Sequence, residues 1–186
     1  VRPLACTNCI ARFVGRLAIL SVRDAANDYF LNSSDDVKQF AFAKGGTDAC
    51  FAFIDAHLEL NPSHVVAACD LECAFNMFDR AIIWEQLRNV PGLSGILPYV
   101  AAVYGVEATI VLERGDLGPL RIGNSVGGRQ GCVLAMLLFC LAHHPAMLET
   151  AARHPGTRLV AFADDTKTCG NYDAVPAAIA TYTGLY

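Results

Sequence analysis

The stretch Arg158-Leu-Val-Ala-Phe-Ala-Asp164-Asp165-Thr-Lys-Thr-Cys169 decides how the rest of the chain is read. Leu159 to Ala163 is apolar and strand-like, then two adjacent carboxylates arrive, then Thr-Lys-Thr. A short apolar run broken by a tight acidic pair predicts a β-hairpin with the aspartates at its turn. Adjacent like charges raise each other's pKa unless a cation sits between them and a further carboxylate. On its own, an Asp-Asp pair is ordinarily a solvated Asx turn. A third acid in the same setting changes that balance: His64-Val-Val-Ala-Ala-Cys-Asp70 is a second apolar strand ending in a carboxylate. Laid together, the two strands would set Asp70 against Asp164 in an oxygen-rich cage suited to Mg²⁺, a hard cation.

The chain of 186 residues suits one domain with a real core. It is 54% hydrophobic and 17% charged, against an average of about 25% charged. That balance suits a piece whose surface meets other protein or nucleic acid. The net charge of −4 gives no global basic footprint, so nucleic-acid contacts would come from local patches or from further segments. Eight cysteines lie largely inside apolar runs (Cys50, Cys69, Cys73, Cys132, Cys140), which reads as reduced, buried thiols of an intracellular protein. Cys6-Thr-Asn-Cys9 has zinc-site spacing, but no second pair follows. The most apolar run, Cys132 to Ala142, is too short to span a bilayer, and no membrane partner is expected. No signal peptide is visible, and the chain starts at Val1.

In chain order, Arg2-Pro3-Leu4 opens as a strand or turn. Ile10, Phe13, Val14, Leu17 and Leu20 then recur at helical spacing to about Tyr29, with Arg12, Arg16 and Arg23 off that stripe. Thr47 is the expected N-cap of a helix to about Leu60, which Asn61-Pro62 ends. Asp79 caps a helix from Arg80 to about Val90, and a further helix runs from about Leu93 to Tyr104. Val106 to Glu113 alternates as a half-buried strand and returns at Leu120 to Gly123. Gly127 to Gly131 forms a loop. It feeds a long helix with Leu134, Leu137, Leu138 and Leu141 on one stripe, kinked near Pro145 and finished by His154-Pro155-Gly156. Ala174 to about Thr181 is helical. The interleaving predicts a mixed α/β (α+β) class with a largely antiparallel sheet packed on helices.

Three segments then come together: Asp70-Leu-Glu-Cys-Ala-Phe75, the loop Gly127-Gly128-Arg-Gln130-Gly131 leading into Leu134 to Phe139, and Phe162-Ala-Asp-Asp165. In this order and spacing they resemble the palm of reverse transcriptases, particularly those of non-LTR (LINE-type) retrotransposons and group II introns. Arg2-Pro3-Leu4 is similar to the family's fingers motif. Gln39-Phe40-Ala41-Phe42 with Lys44 is similar to its Gln-x-Gly-Phe segment, which supports the template side. The resemblance covers nearly the whole chain, with partial fingers over 1–62 and palm over 63–186. It implies an RNA-directed DNA polymerase that adds dNTPs to a primer 3′-OH on an RNA template.

The resemblance further implies two Mg²⁺ ions, or Mn²⁺ in their place, with Asp70 and Asp164 as main bridges, Asp165 in support, and the Leu71 carbonyl as a further ligand. Phe75 would lie under the incoming sugar and exclude a 2′-OH. Gln130 and Gly131 would border nucleotide and template, and Arg2 would meet the triphosphate. The departures are Ala41 for the family's Gly, and Thr166-Lys167-Thr168 where the family is apolar, which predicts a less buried return strand. Thr183 to Tyr186 resembles the opening of the next motif. The chain is therefore read as a fingers–palm fragment whose thumb, and an endonuclease domain, belong to a parent polyprotein, with a nuclear location implied by the family. A viral RNA-dependent RNA polymerase would carry Gly-Asp-Asp and fits Phe162-Ala163 and Gln130-Gly131 poorly. The alternative of another class is a non-catalytic or decayed palm serving as a nucleic-acid or protein interaction module.

Overall fold

A strand covered on both faces can be apolar at successive positions, and Arg158–Phe162 is such a strand from Leu159 onward. In the computed structural model, which describes residues 9–71, 73–129 and 131–185, it is the penultimate strand of a four-stranded sheet. The elements in order are α1 (Cys9–Asn32), β1 (Val37–Gln39), α2 (Gly46–Leu60), β2 (His64–Cys69), α3 (Ala74–Met77), α4 (Arg80–Asn89) and α5 (Leu97–Tyr104). There follow β3 (Ala108–Leu112), β4 (Leu120–Asn124), α6 (Ala135–Arg153), β5 (Arg158–Phe162), β6 (Asp165–Asn171) and α7 (Val175–Leu185). The sheet order is β1-β5-β6-β2; β1 runs parallel to β5, and the other pairs are antiparallel. The class is the expected mixed α/β one, a sheet packed on helices.

Successive side chains of a strand point to opposite faces, and here each face has its own cover. Val160 and Cys169 pack with Phe40, Cys50 and Ile54 under α2. Leu159 and Ala161 pack with Val37, Met147 and Tyr182 under α6 and α7. The strand Thr166-Lys-Thr is not less buried, contrary to its polar composition: Thr166 and Thr168 are fully inside. Their β-branched side chains suit a strand, and the Thr166 hydroxyl lies 3.2 Å from the Tyr182 hydroxyl. Lys167 points the other way, its Nζ 5.5 Å from the ring centre of Phe51 on α2.

The second core lies around α6, which is buried nearly all round from Leu137 to His144 and not along one stripe. Each fully buried leucine there is worth about 2–3 kcal/mol of transfer free energy. Two histidines come inside with it: His144 Nε2 lies 2.7 Å from Ser33 Oγ, and His143 Nε2 is hydrogen-bonded to the Tyr182 hydroxyl. Pro145 sits inside this helix and removes one rung of its ladder.

Several local expectations change. In α1 the stripe Ile10, Phe13, Val14, Leu17 and Leu20 is exposed, and the core takes Gly15, Val22, Ala26 and Phe30 instead. The opposite face won because small residues let α1 approach closely, with Gly15 against Tyr99 and Val133. Helix α2 is capped at Gly45 in the left-handed region, and Thr47 stands within the first turn. Asp79 does cap α4, accepting from the Ala81 N–H at 2.8 Å. The ribbon β3–β4 is a separate sheet, and its return strand exposes Leu120, Arg121 and Ile122 alike. Cys73 is exposed, while Cys50, Cys140 and Cys169 are buried; all described cysteines are free.

Candidate active site

The hairpin turn is two residues long: Phe162 pairs with Asp165, leaving Ala163 and Asp164 at the tip. Ala163 has φ 56°, a left-handed conformation that costs a non-glycine residue about 1–2 kcal/mol. What holds it is a residue 124 positions earlier. Gln39 is fully buried, its Nε2 donates to the Ala163 carbonyl at 3.0 Å, and its Oε1 accepts from the Ala163 N–H at 2.9 Å. Oε1 also accepts from the Ala41 N–H at 3.2 Å. Both backbone groups of the strained residue are thereby satisfied by one carboxamide.

Of the two acids, Asp164 belongs to the turn and Asp165 opens β6. Asp165 Oδ2 pairs with Lys167 Nζ at 2.5 Å, and both act on the Cys50 thiol, so Asp165 lies on the α2 side. Asp164 acts on Cys140 of α6, whose thiol is pushed up by burial first and by this carboxylate second. The two neighbours thus serve opposite faces of the sheet. Asp70 arrives through the register of β2: Cys69 stands opposite Thr166, so Asp70 leaves the strand at the same end as the Ala163–Asp164 turn. Burial, and then Asp70, push the Cys69 thiol up. Leu71, next in line, is partly buried against both the α6 core and the sheet core.

The glycine loop is locked onto the segment that follows Asp70. Gly127 N–H donates to the Phe78 carbonyl at 2.9 Å and Gly128 N–H to the Phe75 carbonyl at 2.6 Å. Gly127 has φ 59°, and a Cβ there would lie 2.1 Å from the Asn76 carbonyl, so only glycine fits. Arg80 ties the loop from the other side, with Nε donating to the Gly127 carbonyl at 2.9 Å and Nη2 to Asn124 Oδ1 at 2.6 Å. Burial lowers its pKa, and its guanidinium shares the ring of Tyr104 with Arg129, at 5.1 and 4.9 Å from the ring centre. Phe75 is partly buried and stacked on Phe139, with ring centres 4.5 Å apart. Gly131 is exposed with φ 92°. Arg2 and Gln130 lie outside the described residues, as does Cys6. Gln39 and Arg80 carry the site's framework; Gln39 lies in the segment that resembles the family's Gln-x-Gly-Phe motif, though not for this contact, and Arg80 has no sequence pattern that marks it.

The donors at this sheet end are carboxylate and carbonyl oxygens, the kind Mg²⁺ takes. Among the described residues no three His, Cys, Asp or Glu side chains stand close enough to hold a metal together. The donor chemistry fits the ion for Asp70 and Asp164, while Asp165 is engaged by Lys167.

No protein-family model matches the sequence, and no curated protein matches it. A solved structure does share the architecture: an apo telomerase from Candida tropicalis, truncated from its C-terminal domain, matches 93% of this chain with a TM-score of 0.53. The fold is polymerase-like. At 14% identity the likeness is one of fold, and the chain spans 36% of that telomerase's length. In this polymerase-like frame the acid turn, the end of β2 and the Gly127 loop form one continuous structure, joined through α3. No helix among the described residues is long and apolar enough to cross a membrane.

Proposed function

We propose that the chain is the fingers–palm part of an RNA-directed DNA polymerase of the non-LTR retrotransposon type, which adds dNTPs to a primer 3′-OH on an RNA template. The observation that carries this reading is the β2–β6 register, Cys69 against Thr166, which leaves Asp70 and the Asp164 turn at one sheet end. Primer extension is in-line attack of a 3′-oxygen on an α-phosphate, with charge building on the attacking and leaving oxygens. Two Mg²⁺ ions, when bound, supply the positive charge that both oxygens need. Asp70 and Asp164 would hold them, with the Leu71 carbonyl at hand. Asp165 would steady the turn through Lys167.

The loop from Gly127 fixes where Phe75 stands by bonding its carbonyl. Phe75, seated on Phe139, would present its free ring edge to the sugar and exclude a 2′-OH. Arg2, Gln130 and Gly131 would border the triphosphate and template. Residues 1–62 would then be partial fingers and 63–186 palm, in a polyprotein that also supplies thumb and endonuclease and works in the nucleus.

The test is equilibrium dNTP binding by the product of the complete reading frame. Binding should require Mg²⁺, with Mn²⁺ substituting. Asp70→Asn and Asp164→Asn should each weaken it by more than the roughly tenfold that loss of an outer-sphere metal partner costs. Metal-independent binding that both variants retain would remove the reading.

A further inference from the structure

We propose that Gln39 is a positioning residue for the acid turn: its carboxamide holds the Ala163 peptide left-handed from both sides and so sets where Asp164 stands beside Asp70. This rests on the polymerase reading for its consequence, though not for its geometry. The geometry is unusually closed. A two-residue hairpin turn with positive φ at its first central position normally carries glycine there. This chain has Ala163, at φ 56°. A strained residue persists only where its surroundings over-determine it. Here the surroundings are one side chain: Gln39 Nε2 gives to the Ala163 carbonyl and Oε1 takes from the Ala163 N–H.

The orientation of that carboxamide follows from its partners. Oε1 faces two N–H donors, of Ala41 and Ala163, so a reversed amide would set donor against donor. The anchor itself is firm. Gln39 ends β1, which pairs in parallel with β5 at Gln39↔Ala161, and the Phe40 N–H continues the ladder to the Ala161 carbonyl at 2.8 Å. Strand β1 is three residues long, and its last side chain reaches past the end of β5 to the turn. The segment that resembles the family's template-side motif therefore reaches the acid end of the sheet.

The consequence concerns turnover more than binding. With the clamp gone, Ala163 is free to relax to negative φ, and the peptide leading into Asp164 rotates with it. Glycine at 163 removes the steric reason to relax. A clamp that works by holding φ should therefore be partly dispensable in Ala163→Gly, whereas a residue that merely fills the core should not.

Two readouts separate this from the polymerase reading. On the chain itself, amide hydrogen exchange at Ala163 reads the clamp. Gln39→Met, which keeps the volume and removes both bonds, should speed exchange there by about tenfold or more, the factor that one lost buried hydrogen bond gives. Amides of α6 should stay protected. In the product of the complete reading frame, Gln39→Met should lower kcat for RNA-templated primer extension by about tenfold with KM for dNTP within about twofold. Adding Ala163→Gly should restore most of that kcat. Gln39→Glu, which keeps the acceptor for both N–H groups and loses only the donor to the Ala163 carbonyl, serves if Gln39→Met does not fold; it should show a smaller loss of kcat that Ala163→Gly again restores. Unchanged exchange at Ala163, or a kcat loss that Ala163→Gly leaves untouched, overturns the proposal. If the wild type shows no activity sensitive to Asp164→Asn, the polymerase reading fails, and exchange at Ala163 alone decides the clamp.

Discussion

Lowering the pH from 7 to 5 should destabilise this protein far more than its surface charges would suggest, because two histidines are buried uncharged in α6. Burial first, and then its neighbour His144, push the pKa of His143 down to about 3; burial and then Lys38 push His144 down to about 4. The unfolded rings titrate near 6.5. Folded values below the unfolded ones mean that the unfolded chain takes up protons first as pH falls. The stability these rings allow is therefore complete above about 6.5 and is lost between there and the folded values. From pH 7 to 5 the loss integrates to about 2 kcal/mol per ring, or about 4 kcal/mol for both. Against a typical total of about 5–15 kcal/mol that is a large share. His57, lowered chiefly by burial and then by Arg158 and His64, acts in the same sense.

The assay is urea unfolding followed by circular dichroism at half-unit steps of pH, ending at 5 so that carboxylates stay ionised. With a slope of about 2 kcal/mol per molar, the midpoint should fall by about 2 M. His143→Gln, which can still bond the Tyr182 hydroxyl, should remove about half of that fall. A midpoint that stays within about 0.3 M across the range would refute the argument, since it would mean that the rings are charged or solvated in the fold.

Gly127→Ala should cost about 2–5 kcal/mol, from left-handed strain and from a Cβ set 2.1 Å from the Asn76 carbonyl. Gly156→Ala, at φ 88° with nothing within 4 Å, should cost only about 1–2 kcal/mol when both are measured by the same urea unfolding; equal losses would undo the claim that the loop is locked on α3. Phe75→Val in the product of the complete reading frame should raise rNTP use relative to dNTP, and should also lose about 1 kcal/mol of stacking on Phe139. Unchanged sugar selectivity with reduced stability would make Phe75 a packing residue alone.

The acid hairpin was legible because an apolar run interrupted by carboxylates admits few other shapes, and β5 lies where its apolar residues put it, with β6 following from the turn. Strand β1 was not. Val37-Lys-Gln is too short to show a period, and it becomes a strand only because β5 offers an open edge. The exposed stripe of α1 is a true helical repeat whose partner could not be read from it; the buried face sets Gly15 and Ala26 beside Val22 and Phe30. Thr166 and Thr168 look solvated by composition and are interior by topology, since the α6–α7 side of β6 is covered. Asp70 and Asp164 could be matched by motif, but their meeting depends on a register that only strand pairing fixes. Arg80 and Gln39 act on backbone groups far along the chain, a relation that leaves no local pattern.

The central claim is that Asp70 and Asp164 form one site for nucleotidyl transfer. It meets its most direct test in primer extension on an RNA template with Mg²⁺ and dNTPs, using the product of the complete reading frame and its Asp70→Asn and Asp164→Asn forms. The account predicts extension by the wild type, a fall of at least about a hundredfold in each variant, and no further fall when the two are combined, as for groups that act as a unit. Extension that survives either substitution, or losses that multiply in the double variant, would contradict it.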